Sequence, residues 1–168
     1  MPVGWADDIG ESLPPSVATD STAPEFSLVD LSGITRTLAA HQGKVTLLKF
    51  WATWCPHCRT DVPLIKELAL KYQQRPFQVI TISVDQDLDA LKRFLREQKV
   101  TYPVIATSDP EQPEANQLSD RYEVRGIPAY YLVDATGAIV SRRSGSYLES
   151  KAQGELEETI KTLLADLP

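Results

Sequence analysis

Two cysteines stand three residues apart in Trp54-Cys55-Pro56-His57-Cys58, and they are the only two in 168 residues. The pair lies between an apolar run over 45–51 (VTLLKFW) and a segment in which Val62, Leu64, Ile65, Leu68, Ala69 and Tyr72 recur at helical spacing. If Cys55 is the N-cap of that helix, Pro56 falls at N1, where proline is favoured. Cys58 then falls at N3, and N-cap and N3 side chains reach each other. The same geometry brings two sulfurs within disulfide range. Orphan N–H groups and the positive end of the helix dipole favour a thiolate on Cys55. Thiolates so placed have pKa values of roughly 3.5–7.5 instead of ~8.5, and only the thiolate attacks a disulfide. The predicted roles are Cys55 as nucleophile and Cys58 as the resolving thiol that attacks the mixed disulfide. The redox-active disulfide Cys55–Cys58 is itself the reagent, with no other cofactor. His57 has two readings: an exposed polar residue at a helix start, or a partly positive imidazole that favours the Cys55 thiolate and makes the disulfide a better oxidant.

A Cys-x-x-Cys pair also forms half of many zinc sites, which need two further ligands. The histidines are His41 and His57 alone, and His57 sits inside the motif. No metal site is expected. Two cysteines also exclude a disulfide scaffold and a cysteine-held iron–sulfur cluster.

The elements that must hold this pair alternate. A hairpin is predicted over FSLVDLSGITRTLAA, turning at Leu31-Ser32-Gly33, then a buried central strand over 45–51. A helix runs from Pro56 to about Gln74, a strand over 77–84 (FQVITISV), and a helix over 87–98 with the stripe Leu88, Leu91, Phe94 and Leu95. A short strand over 100–105, a helix around 113–121, strands over 129–133 and 138–142 about the turn Asp134-Ala135-Thr136-Gly137, and a helix over 148–164 complete the chain. This order predicts an α/β fold with parallel βαβ crossovers and an antiparallel edge. The length fits one domain. Residues 1–23, rich in Pro, Ser, Thr, Ala and Asp, read as a flexible lead-in to a domain over 24–168. Lys plus Arg is 17 against 23 Asp plus Glu, a net charge of −6, which argues against nucleic acid as a partner. No apolar run approaches the ~20 residues of a membrane helix, and the N-terminus lacks a signal-peptide pattern. A cytoplasmic protein with a ragged start and the soluble part of an exported or membrane-tethered protein both remain open.

FWATWCPHC resembles the active site of the thioredoxin superfamily. The layout from Ala23-Pro24-Glu25-Phe26-Ser27-Leu28 through Trp51-Ala52-Thr53-Trp54-Cys55 is similar to the TlpA/ResA-like extracytoplasmic thiol-disulfide oxidoreductases, over about residues 23–165. The resemblance implies a thioredoxin-like fold with an N-terminal β-hairpin, a central βα insertion and a mixed sheet flanked by helices. It implies a cis Ile127–Pro128 bond in Gly126-Ile127-Pro128, facing the disulfide, with the peptide groups around Ile127 binding an extended substrate segment. Pro63 matches a helix-kinking proline. The Pro56-His57 pair and the run Val124-Arg125-Gly126-Ile127-Pro128-Ala129 resemble the DsbA oxidases instead, although the DsbA helical insertion is missing.

Thioredoxins carry a buried aspartate at the place of Lys49. Lys49 either runs its stem along the core with its ammonium at the edge, or sits behind the disulfide and pairs with Asp61. Asp61, one turn beyond Cys58, matches an acidic residue of ResA-like proteins and either relays a proton to Cys58 or is a helix-surface carboxylate. Trp51 and Trp54 read as packing residues flanking the site, with Trp54 shielding Cys55 and contributing to substrate binding. Asp85 reads as a turn or cap residue.

The leading function is a protein thiol:disulfide oxidoreductase acting on cysteine-containing proteins and a redox partner protein, as an extracytoplasmic, periplasmic monomer. The TlpA/ResA-like body implies a reductase, as in cytochrome c or copper-centre maturation, and the CPHC site an oxidant. A peroxiredoxin frame is similar, but Pro-x-x-x-Thr-x-x-Cys fails at Leu48 and Ala52. Copper chaperones of related fold use Cys-x-x-x-Cys plus a remote histidine, and this chain has one methionine.

Overall fold

A run of β-branched and apolar residues with no exposed position can be satisfied only by neighbours on both faces and both edges. Val45–Trp51 is such a run, buried along its whole length. The computed structural model describes residues 22–39, 43–148 and 150–167. The predicted lead-in up to residue 21 and His41 lie outside the described residues.

The first paired strands among the described residues form a hairpin of β1 (Ser27–Val29) and β2 (Thr35–Thr37). Asp30 caps its turn, accepting from the Ser32 and Ile34 N–H groups at 2.8 and 3.0 Å. Gly33 takes φ +86°, open to glycine without a steric penalty. Ahead of the hairpin, Thr22 bridges Ala138 and Ala23 N donates to Gly137 O at 2.9 Å.

The main sheet has five strands in the order β5-β4-β3-β6-β7. Central β3 (Val45–Trp51) pairs parallel with β4 (Phe77–Ser83) and antiparallel with β6 (Ala129–Val133). The edges are β5 (Val104–Ala106), parallel to β4, and β7 (Ile139–Ser144), antiparallel to β6. Between β3 and β4 run α1 (Pro56–Thr60) and α2 (Val62–Lys71); α3 (Leu88–Glu97) crosses from β4 to β5. A 3-10 turn (Pro113–Gln117) and α4 (Leu118–Arg121) lead to β6, and α5 (Ser150–Ala165) closes the chain. This is the expected thioredoxin-like α/β architecture.

Side chains alternate across a strand, so β3 feeds two cores. Val45, Leu47 and Trp51 pack with Ile65 and Leu68 of α2, Leu91 of α3, and Leu156 and Ile160 of α5. Leu48 and Phe50 pack on the other face with Phe26 and Leu28 of the hairpin, Ile80, Ile82, Leu118 and Tyr122.

Three elements depart from expectation for local reasons. The predicted helix from Pro56 to Gln74 breaks at Asp61, because Pro63 has no N–H to donate in a continuous helix. Pro63 falls instead in the first turn of α2, where no donor is needed. The predicted strand over 100–105 shortens to Val104–Ala106, since Pro103 cannot donate to a ladder. The helix around 113–121 is a 3-10 turn followed by a single α-helical turn.

Candidate active site

The site lies where β3 ends and α1 begins. Asp85, just past β4, anchors that junction. It accepts from the Thr53 N–H at 3.0 Å, from Thr53 Oγ1 at 2.6 Å and from Ser83 Oγ at 2.6 Å. Asp85 is buried, so it is more than a turn residue: it ties the two strand ends together ahead of the cysteine motif.

Cys55 is the N-cap of α1 and Pro56 occupies its first turn. The Cys55 and Cys58 sulfurs form a disulfide, with Cα atoms 5.2 Å apart. The Cys58 N–H points at Cys55 Sγ at 3.2 Å, the capping contact expected of this spacing. Such a donor stabilises negative charge on that sulfur once the disulfide opens. Cys58 is fully enclosed and Cys55 lies at the surface of the core, so an incoming thiolate reaches Cys55 first. Pro56 and His57 are exposed beside it.

The Ile127–Pro128 bond is cis. Ile127 O lies 3.8 Å from Cys55 Sγ, so the chain ahead of β6 faces the sulfur directly. Pro128 is buried and Ile127 half-buried. Trp54 departs from the expected packing role: it is 65% exposed. Of these two tryptophans Trp51 is the packing one, against Phe94 with ring centroids 5.7 Å apart.

Behind the disulfide the interior is polar. Asp61 is completely buried, which excludes the helix-surface reading. It accepts from Tyr130 Oη at 2.6 Å, from Tyr147 N at 3.0 Å and from Ser146 Oγ. Arg143 fixes the segment that carries these donors, donating twice to Ser146 O, at 3.1 and 2.6 Å, and lying over the Tyr147 ring. Burial first, then the Asp61 charge, hold the Tyr130 phenol well above its ordinary pKa, so it stays a donor. Tyr130, Ser146 and Tyr147 escape sequence reasoning; the one local clue is Tyr130, two residues beyond Pro128 in a strand face that alternation turns inward.

Lys49 takes the second of its expected placements, behind the disulfide, but without the contact pairing. Its ammonium is not at an edge: the residue has 0% exposure. Nor does it form a contact ion pair with Asp61. Nζ donates to Cys58 O at 3.1 Å and lies over the Trp51 and Tyr130 rings, 5.2 and 5.8 Å from their centroids. The three donors from Tyr130, Ser146 and Tyr147 already engage Asp61. Burial pushes the Lys49 ammonium down to about 8, while the nearby Asp61 charge opposes the shift. Among the described residues no cluster of histidine, cysteine and carboxylate side chains is grouped to hold a metal ion.

The geometry therefore offers a first sulfur at a helix N-terminus, in a residue 6% exposed against 0% for its partner, a backbone carbonyl beside the first, and buried charges behind the second. The chain's similarities agree with disulfide chemistry. The family model described as "AhpC/TSA family" matches residues 19–142. The thiol-disulfide oxidoreductase ResA of Geobacillus kaustophilus (strain HTA426) is 28% identical over 142 residues, covering 84% of this chain and 78% of that protein. A crystal structure from Chlorobium tepidum, of a protein provisionally named as thiol:disulfide interchange protein DsbE, superposes with a TM-score of 0.75 at 28% identity, covering 86% of this chain and 96% of that one. A second Chlorobium tepidum TLS structure, titled as a thiol:disulfide interchange protein of the thioredoxin family, gives 0.71 at 27%, with the same coverages.

Proposed function

The chain belongs to the AhpC/TSA family and is a thioredoxin-fold thiol:disulfide oxidoreductase, and from that premise we propose that it exchanges disulfides with cysteines of partner proteins, Cys55 first and Cys58 second, and that its disulfide is more oxidising than that of thioredoxin. The observation that carries the reading is the position of Cys55: N-cap of α1, facing the Cys58 N–H, with the Ile127 carbonyl beside its sulfur. The helix N-terminus, the exposed His57 and the buried Lys49 all favour thiolate over disulfide. The partner's chain lies along Ile127 and Pro128 and against the exposed Trp54. Asp61, one turn beyond Cys58, passes a proton to or from the resolving thiol. Pro56 sets the start of α1 and so the spacing of the two sulfurs.

An extracytoplasmic, periplasmic setting suits this chemistry, because disulfides persist in oxidising compartments, and the resemblance to TlpA/ResA-like proteins supports it. No described helix is long and apolar enough to cross a membrane. The domain works as a monomer on its protein partners.

The test is a redox titration with a thiol-alkylation pH profile. A Cys55 pKa clearly below 7, with a potential less negative than about −270 mV and towards about −120 mV, is expected. An ordinary Cys55 pKa near ~8.5 sinks the oxidising assignment, and a potential near −270 mV assigns the protein to reduction of its partners instead. Loss of insulin-disulfide exchange in Cys55→Ser checks the nucleophile.

A further inference from the structure

Disulfide exchange by itself does not require an interior lysine, yet Lys49 is the one lysine buried among the described residues. It stands on β3, the central strand, and its Nζ is tied to the backbone oxygen of Cys58, the enclosed member of the pair. Resting on the exchange reading above, we propose that Lys49 is a positioning residue for Cys58: its ammonium, fixed at the back of α1, favours the thiolate over the thiol form of the Cys58 sulfur when the disulfide is open.

Three features of the site support this. First, the ammonium has a fixed location. The hydrogen bond to Cys58 O and the flanking Trp51 and Tyr130 ring faces hold it there, and aromatic faces favour a cation. Second, its charge is not cancelled by a contact ion pair. The groups facing it are Asp61 from the α1–α2 junction, Cys58 from α1 and Tyr130 from β6, with Tyr147 and Arg143 behind Asp61. Asp61 is occupied by three donors from other elements. Tyr130 remains protonated and neutral. Third, Cys58 is enclosed, and a thiolate formed there without a nearby cation pays the full desolvation cost of a buried charge. The Lys49 pKa of about 8 in the disulfide form leaves it largely protonated at neutral pH, and a neighbouring thiolate raises it further.

The charge acts in both directions of exchange. When a partner thiolate attacks Cys55 Sγ, the partner–Cys55 bond forms and the Cys55–Cys58 bond breaks. Its electron pair leaves on Cys58 Sγ, in the residue whose backbone oxygen the ammonium holds. In the reverse step the Cys58 thiolate attacks Cys55 Sγ and re-forms the internal disulfide. The partner sulfur departs with the electron pair and takes a proton from solvent; where the mixed disulfide arose by attack of the Cys55 thiolate on a partner disulfide, which released the first partner thiolate, the two steps together reduce that disulfide by two electrons and oxidise the pair. Lys49 keeps its proton throughout.

The test is the alkylation rate of Cys58 against pH in the reduced full chain carrying Cys55→Ala, with Lys49 intact, with Lys49→Met and with Lys49→Gln. Methionine keeps the length without the charge, and glutamine keeps a donor without the charge. The Cys58 pKa is expected to rise by about 1–3 units in both variants, the size of a shift produced by one close opposite charge. In the two-cysteine protein, Lys49→Met should also move the potential to more negative values. A merely structural lysine would change stability and leave the Cys58 pKa where it was. A Cys58 pKa unchanged in either variant overturns the proposal, including the case in which glutamine preserves it through its hydrogen bond. Cys55 reactivity towards oxidised glutathione is read in parallel in the unsubstituted protein. If Cys55 exchanges normally while the Cys58 pKa stays put, only the role of Lys49 falls; if Cys55 does not exchange at all, the exchange reading itself falls.

Discussion

The two faces of β3 differ in kind. Leu48 and Phe50 point into a core of aliphatic and aromatic side chains in which Phe50, Tyr122 and Tyr131 pack with ring centroids 5.3–5.9 Å apart. Lys49 points the opposite way, among Asp61, Tyr130 and the backbone of Cys58. One strand thus faces a conventional core on one side and, next to the disulfide, a buried polar cluster on the other. Close packing of apolar atoms stabilises the fold wherever it occurs. Buried charges are a weak source of stability, so their concentration behind one disulfide points to chemistry.

That contrast predicts two substitutions of comparable cost and different consequence. Phe50→Ala should lower unfolding free energy by about 3–5 kcal/mol through a cavity, read by chemical denaturation of the oxidised protein, and leave the Cys55 pKa unmoved. Asp61→Ala should cost a similar amount, about 3–5 kcal/mol, by orphaning the Tyr130, Ser146 and Tyr147 donors. It should in addition slow the resolving step, measured as the lifetime of a mixed disulfide. If Phe50→Ala perturbs cysteine titration as strongly as Asp61→Ala does, the two faces are not functionally distinct.

A somewhat smaller effect follows from Lys49. Its pKa falls from 10.5 in the unfolded reference to about 8 in the folded protein. Between those values the unfolded chain binds a proton that the folded chain does not, so stability rises with pH across that window. The cost of burying the ammonium is fully present below about pH 8 and is relieved towards pH 10.5. The gain is on the order of 3 kcal/mol. The buried tyrosines, whose pKa values lie above their ordinary range, oppose it only above about pH 10. In oxidised Lys49→Met the rise between pH 8 and 10 should disappear, as followed by denaturant titrations at fixed pH. A Phe50 variant should keep it. Persistence of the rise in Lys49→Met would show that another group carries the pH dependence.

The same contrast governs what is legible in the sequence. Cys55, Pro56 and Cys58 interact within one helical turn, so their spacing alone conveys the N-cap geometry. The run 45–51 announces a central strand because every position is apolar except Thr46 and Lys49. The polar cluster is not local: the partners of Asp61 lie 69, 85 and 86 residues away, and nothing near Asp61 names them. The split of the expected helix at Asp61 follows from Pro63, whose effect on the register of two short helices depends on where each begins. Lys49 is readable as an anomaly in an apolar strand, but not as a donor to Cys58 O, since that contact depends on how α1 folds back over β3.

Trp51 and Trp54 divide in the same manner, and Trp54 supplies the smallest predicted change in stability. β3 ends at Trp51, so the alternation that sends Trp51 inward does not extend to Trp54 in the following turn. The exposed indole lies next to Cys55 in the chain, on the side from which a partner must approach. Removing it leaves no cavity and no orphaned polar group, so Trp54→Ala should alter stability by no more than about 0.5 kcal/mol. Its effect should appear in recognition. Exchange with a protein disulfide such as insulin should weaken several-fold, mainly in KM, because a large exposed aromatic side chain is a natural anchor for a docked chain. Exchange with glutathione, which has little chain to dock, should stay near the unsubstituted rate. Equal losses with both substrates would mean that Trp54 acts on the Cys55 sulfur itself, and would place the tryptophan with the groups that tune the pair instead of with the surface that receives the partner.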